Sequence, residues 1–203
     1  MSAVDRRADH DIDPALTARW SRRAFGQGDI SQADLFTLFE AARWAPSARN
    51  SQPWRFLYAR RDDAVWPIFL DLIYDRNRVW AQHAAALVAV ISRRDIDGED
   101  GPQPSPTHAF DAGAAWSHLA HQAHRDGWNT RAMGGFDRAR APAALQVPDD
   151  HQIHAIVAIG RPGDGIGLPE HLRALEQPTT RCPVAAFAHH GLFPQDPSPK
   201  DIE

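Results

Sequence analysis

Residues 84–91, AAALVAVI, form the longest uninterrupted apolar run in the chain. A membrane-spanning helix needs about 20 such residues, so this run cannot cross a bilayer. Its length and aliphatic content instead mark a buried strand, expected over residues 86–92. Around it, period and punctuation alternate between helix and strand. Ser31 precedes Leu35, Leu38, Phe39 and Ala42 at helical spacing, with Asp34 in the position of a capping box, and Pro46 stops the helix. WRFLYA at residues 54–59 reads as a strand. Val65, Phe69, Leu72 and Ile73 carry one helical stretch towards Asn77. From Asp111 to Asp126, Ala112, Ala115, Trp116, Leu119 and Ala123 share one stripe, with Gly127 placed to end it. A last strand is expected over residues 153–160. Residues 93–107 hold three Pro and two Gly without periodicity and read as a long loop.

The chain has 203 residues, 43% hydrophobic and 24% charged, with 13 Gly and 16 Pro. That is a globular composition able to build one substantial core, so a single domain over residues 15–193 is expected. The polar stretches 1–14 and 194–203 are expected to be flexible. Lys and Arg total 22 against 26 Asp and Glu, a net charge of -4 with a pI near 6.2. No global basic field exists to hold nucleic acid or an anionic membrane. The N-terminus shows no secretory signal and Cys182 stands alone, so a cytoplasmic location is expected.

Few motifs carry chemistry. In RWSRRAF, Arg19, Ser21 and Arg23 alternate, a fork suited to a phosphate dianion or simply a solvated helix face. APSARNSQPW packs amides and hydroxyls between two prolines. Asn50 and Gln52 there could meet the edge of a planar heterocycle, or the stretch is an ordinary tight loop. Gly134 and Gly135 would let backbone approach a ligand or merely turn the chain. Arg181 is a late phosphate contact or a surface residue. His118, His121 and His124 have HxxHxxH spacing, but side chains at i and i+6 diverge on a helix and no carboxylate or Cys recurs with ligand spacing. A polar or subunit-facing surface is the better reading, and no metal is expected. His189 and His190 earn the same reading. No GxGxxG after a strand, P-loop or GxSxG elbow occurs.

Taken in order, RWSRRAF, AARWAPSARNSQPWRF, NRVWAQHAAALVAVIS, DAGAAWSHLAHQAHRDGWNTRAMGGFD and IVAIGRPGD resemble the nitroreductase family of flavoenzymes over nearly the whole chain. The resemblance implies an α+β fold with a mixed sheet flanked by helices, an intertwined homodimer, and FMN at each of two interface sites. Arg19, Trp20, Ser21 and Arg23 match the stretch that binds the flavin phosphate and pyrimidine edge. Pro46, Ser47 and Asn50 match a loop that covers the flavin from the partner subunit. Asn77 matches a flavin-contacting amide, and Met133, Gly134 and Gly135 match the turn whose backbone N–H approaches the hydride-accepting nitrogen. Arg181 matches the late phosphate contact.

The resemblance further implies that NAD(P)H passes a hydride through FMN to a nitroaromatic, quinone or enone in a ping-pong reaction. Arg23 and the Gly134 backbone would assist, with no side-chain nucleophile. Relatives with the same fold instead perform dehalogenation, dehydrogenation or flavin breakdown without NAD(P)H, and a non-catalytic flavin holder is a third possibility. Trp80 stands where many relatives carry Lys, removing one cation near the flavin, and Thr179 replaces a basic residue of some members. Substrate choice is expected in residues 93–108 and around Phe110, as a lid or pocket wall.

Overall fold

In the computed structural model, which describes residues 6–194, the apolar run becomes β2 (Ala86–Arg93), buried along all but its last residue. It sits inside a four-stranded sheet with β1 (Trp54–Arg60), β6 (His151–Gly160) and β5 (Asn129–Met133), ordered β1-β2-β6-β5. Central placement explains the unbroken hydrophobicity, because neither face of β2 meets water. Leu87, Ala89 and Ile91 join one core with α3 (Trp66–Leu72) and α4 (Asp75–Ala81). Ala86, Val88 and Val90 join the other with α2 (Gln32–Arg43) and α5 (His108–Arg125). The period of two thus divides the molecule into two helical layers on one sheet. Among the described residues no helix is long and apolar enough to cross a membrane.

The α+β class is as expected, but strand direction differs from a mixed sheet. All three pairings of this sheet are antiparallel within the chain. A parallel neighbour needs one long crossover. Here α3 and α4, seven residues each, pack on one face of the sheet and return the chain to β2, antiparallel beside β1.

Capping chemistry sets two helix ends. The Ser31 hydroxyl accepts from Asp34 N at 3.0 Å, starting α2, and Gly127 at φ +75° follows α5 where a Cβ would be strained. Three expectations require correction. The single helical stretch after Val65 breaks at Ile73, which is extended, bridges Phe136 and lets Tyr74 N donate to Gly135 O at 3.2 Å. A strand over Asn129–Met133 is also absent from the sequence expectations, because its first three residues, Asn129, Thr130 and Arg131, are polar and hide the period of two. The long loop is a hairpin of β3 (Asp95–Gly98) and β4 (Gly101–Pro104), turning through Glu99 and Asp100 with Gly101 at φ +104°. Its prolines are tolerated because a two-stranded ribbon leaves outer N–H groups unused.

Short helices α1 (Pro14–Ala18), α6 (Ala141–Ala144) and α7 (Glu170–Arg173) complete the chain. Residues 1–5 and 195–203, read from sequence as flexible margins, lie outside the described residues. Residues 6–14 make defined contacts, among them Val184 N donating to Asp9 Oδ2 at 3.0 Å.

Candidate functional site

Two cavities lie at opposite ends of residues 19–23. The segment is fixed from behind: Gly26 N donates to Arg161 O at 2.9 Å, Gly163 N donates to Ala24 O at 3.0 Å, and Phe25 bridges Pro162. Only glycine permits that approach at 163, where a Cβ would stand 2.6 Å from the Phe25 carbonyl carbon. Arg23 is thereby held beside the exit of β5.

The first cavity, about 460 Å³, is lined by Arg23, Arg76, Asn77, Arg131, Leu172 and residues 132–135. The break between α3 and α4 delivers Asn77, whose Nδ2 donates to Gly135 O at 3.4 Å. Gly135 is buried, and a Cβ there would stand 2.8 Å from that same amide. Arg131, half-buried, donates to Ser21 O and lies 5.6 Å over the ring of Trp80. Trp80 is itself fully buried, and its Nε1 has no hydrogen-bond partner. Burial first, then the nearby Arg23 charge, pulls the Arg131 guanidinium below its ordinary pKa, while Glu176 acts in the opposite sense. Glu176 accepts from Arg23 N at 2.8 Å and Ala24 N at 2.9 Å, and its other oxygen lies 4.0 Å from Arg23 Nη1.

The second cavity, about 680 Å³, gathers Arg6, Arg19 and Arg181 with His121, Thr179 and Cys182. Arg6 Nη2 donates to Arg19 O at 3.2 Å, and Arg181 Nη1 donates to Thr179 Oγ1 at 3.1 Å. Desolvation, followed by repulsion from Arg181 and Arg6, lowers the Arg19 pKa. Desolvation and then Arg19 lower that of His121. Cations repelling one another around a hollow make a place for an anion. Arg19 and Arg23 are separated by at most about 14 Å of extended chain. Between them, Ser21 is half-buried and Trp20 carries Arg22 over its ring at 4.5 Å.

Of the sequence candidates, Arg23, Asn77, Met133, Gly134 and Gly135 meet in the first cavity, and Arg19 and Arg181 in the second. Pro46, Ser47 and Asn50 line neither. Their loop leaves α2 and is tied to the start of α5, where Ala48 N donates to Asp111 Oδ2 at 3.2 Å. Arg49, Asn50 and Gln52 adopt φ of 54°, 52° and 47°, strained values for residues with a Cβ. The hairpin at residues 95–104 and Phe110 also line neither cavity, so within one chain they form no wall over the first. His118 is exposed while His121 faces the second cavity, and the described residues contain no metal-competent group of three.

Sequence reasoning missed Arg6, Arg76, Arg131 and Glu176. Arg131 had a weak signal: it lies three residues before the Gly134–Gly135 pair, close to a turn already singled out. Glu176 had none, since its role arises only when the chain returns to Arg23 from 153 residues away.

A family model described as the nitroreductase family matches residues 16–161. A curated "NADH dehydrogenase" from Thermus thermophilus is 28% identical over 82% of this chain and 94% of its own. A solved structure described as an oxidoreductase containing FMN is 42% identical, covers 96% of this chain and 98% of its own, and superposes with a TM-score of 0.91. A nitroreductase family protein from Streptococcus pneumoniae, 20% identical over 88% of this chain and 98% of its own, shares the fold at a TM-score of 0.69.

Proposed function

Because this chain belongs to the nitroreductase family of oxidoreductases, we propose that it binds FMN and transfers a hydride from NAD(P)H to a small organic acceptor in two half-reactions. The observation that carries the reading is the pair of cavities joined by residues 19–23, one ringed by Arg6, Arg19 and Arg181, the other by Arg23, Arg131, Asn77 and a glycine turn. FMN suits that arrangement by its own chemistry: a phosphate dianion at one end and, at the other, a flat ring edged with amide donors and acceptors. The missing Cβ of Gly135 keeps the Asn77 amide in place for such an edge.

When bound, FMN supplies the hydride acceptance and release. The protein supplies position and charge. Arg19 and Arg181, joined by Arg6, hold the phosphate with charge-assisted hydrogen bonds. Trp20 and Ser21 flank the linker, and Arg23 and Asn77 face the pyrimidine edge. Met133, Gly134 and Gly135 line the same cavity and would present backbone, including the Gly134 N–H, to the reacting part of the ring. The exposed Arg76 at the rim receives the anionic groups of an incoming nicotinamide cofactor.

The active unit is proposed to be a homodimer in which residues 46–50 of a second copy close the site. Support comes from the strained, outward loop and from the exposure of Trp44 at 71% and Phe110 at 80%, large apolar surface for a lone chain. The cytosol, where nicotinamide reductant is regenerated, is the proposed location. Purified protein loaded with FMN is expected to lose its yellow colour on anaerobic addition of NADH or NADPH and regain it with a quinone. Failure to bind supplied FMN ends the proposal, and binding without bleaching removes NAD(P)H from it.

A further inference from the structure

The cationic balance of the first cavity singles out one side chain. Two guanidiniums face it from the chain interior, Arg23 and Arg131, and one carboxylate, Glu176, lies against them. The carboxylate belongs to Arg23: it accepts from the backbone N–H of residues 23 and 24 and pairs with the Arg23 guanidinium, with only 9% of its side chain exposed. Among the described residues, Arg131 has no carboxylate in hydrogen-bond contact. Its partners there are the neutral carbonyl of Ser21 and the face of Trp80. Both hold it in place without cancelling its charge. Burial makes that charge costly.

We propose that Arg131, positioned by Trp80, is the residue that makes this cavity favour the reduced, anionic form of the flavin ring. The inference rests on the FMN reading above. The oxidised ring is neutral. A hydride adds two electrons and one proton, leaving the ring with one negative charge while the nicotinamide departs as a cation. A fixed positive charge in a partly dry cavity stabilises the product of that step more than its reactant, and needs no reorganisation to do so. Arg23, already paired, contributes less. Glu176 opposes the effect and limits it. The Trp80 position, where the resemblance implied a lost cation, is therefore one half of a substitution of geometry: the indole stacks beneath a cation supplied from β5.

The test uses full-length protein loaded with FMN. Affinities for oxidised and reduced FMN, or equivalently the midpoint potential against a reference dye, are measured for wild type, Arg131→Gln, Arg131→Lys, Arg23→Gln and Glu176→Gln. Arg131→Gln is expected to lower the preference for reduced over oxidised FMN about tenfold, about 30 mV for a two-electron couple. Arg131→Lys should retain most of the preference. Glu176→Gln, which leaves Arg131 in place, should raise it, keeping the charge argument testable if Arg131→Gln does not fold. A folded Arg131→Gln whose preference stays within about threefold of wild type overturns the assignment, as does a Glu176→Gln preference that falls or stays fixed. Wild type that binds no FMN in either state instead defeats the underlying reading.

Discussion

At the scale of single residues, the candidate site depends on the absence of one methyl group. A Cβ at Gly135 would stand 2.8 Å from Asn77 Nδ2 and 3.1 Å from Arg76 Nη2, both at the ends of flexible side chains. Gly135→Ala should therefore displace those side chains instead of unfolding the turn. Losing one net hydrogen bond of about 0.5–1.5 kcal/mol corresponds to roughly a 2- to 13-fold loss of FMN affinity. Fluorescence titration is expected to show that loss, with the melting temperature nearly unchanged; a large fall in melting temperature would place the role of Gly135 in the fold alone. The Gly134–Gly135 pair was legible because adjacent glycines are conspicuous, and the Arg19–Ser21–Arg23 fork because charge alternation is local. Arg6 was hidden in a polar terminal stretch. Its place beside Arg19 emerges only once Val184 N pins Asp9 and brings the N-terminal segment across the second cavity.

At the scale of elements, the sequence foretold what periodicity controls and missed what contact controls. The buried strand, the capped helix after Ser31 and the striped helix ending at Gly127 all follow from local rules. The division of α3 from α4 does not. Ile73 continues the apolar spacing, yet pairing with Phe136 draws its backbone into an extended form. The hairpin at residues 95–104 resembled a loop because prolines mask its alternation. Contact also fixes the segment bearing Arg23. Gly163→Ala sets a Cβ within 3 Å of Phe25 and Gly26 backbone atoms, which cannot swing aside. A destabilisation of about 1–3 kcal/mol is expected by denaturant unfolding, together with weaker FMN binding. The strained loop at residues 49–52 depends on Asp111, which accepts from Ala48 N and Thr107 Oγ1, each at 3.2 Å. Asp111→Ala should release that loop and speed tryptic cleavage after Arg49 about tenfold, as a fall of about 1.4 kcal/mol in the free energy of opening would give. Unchanged cleavage would show the loop to be held by other contacts.

At the scale of the whole molecule, charge and burial together set the response to acid. His154 is the bulged residue of β6, lying where the pairing with β2 shifts between Val90 and Ile91. Its Nε2 is 2.6 Å from the buried Ser92 Oγ, which is also 2.7 Å from His108 Nδ1. One hydroxyl has one proton, so one imidazole must donate to it and the other must accept; charging both rings leaves that proton without a partner. Burial first, then the charges of His108, Arg138 and Arg94, lowers the His154 pKa. Burial and arginines likewise lower those of His121 and His124. For each, the unfolded chain binds protons more readily than the folded one once the pH falls below about 6.5. Stability from these groups is therefore complete above that value and declines as acid approaches the folded pKa. The exposed carboxylates with lowered pKa values, such as Asp71 and Asp97, lose their contribution only at lower pH and carry little of it. Melting temperature should thus fall between pH 7.5 and 5.5, and fall less in His154→Gln. FMN should shrink the decline further, because a phosphate beside Arg19 and Arg181 offsets the Arg19 repulsion that adds to burial in lowering the His121 pKa. Melting curves of apo and FMN-loaded protein across that range measure this difference, and an equal decline in both forms would place the phosphate away from His121.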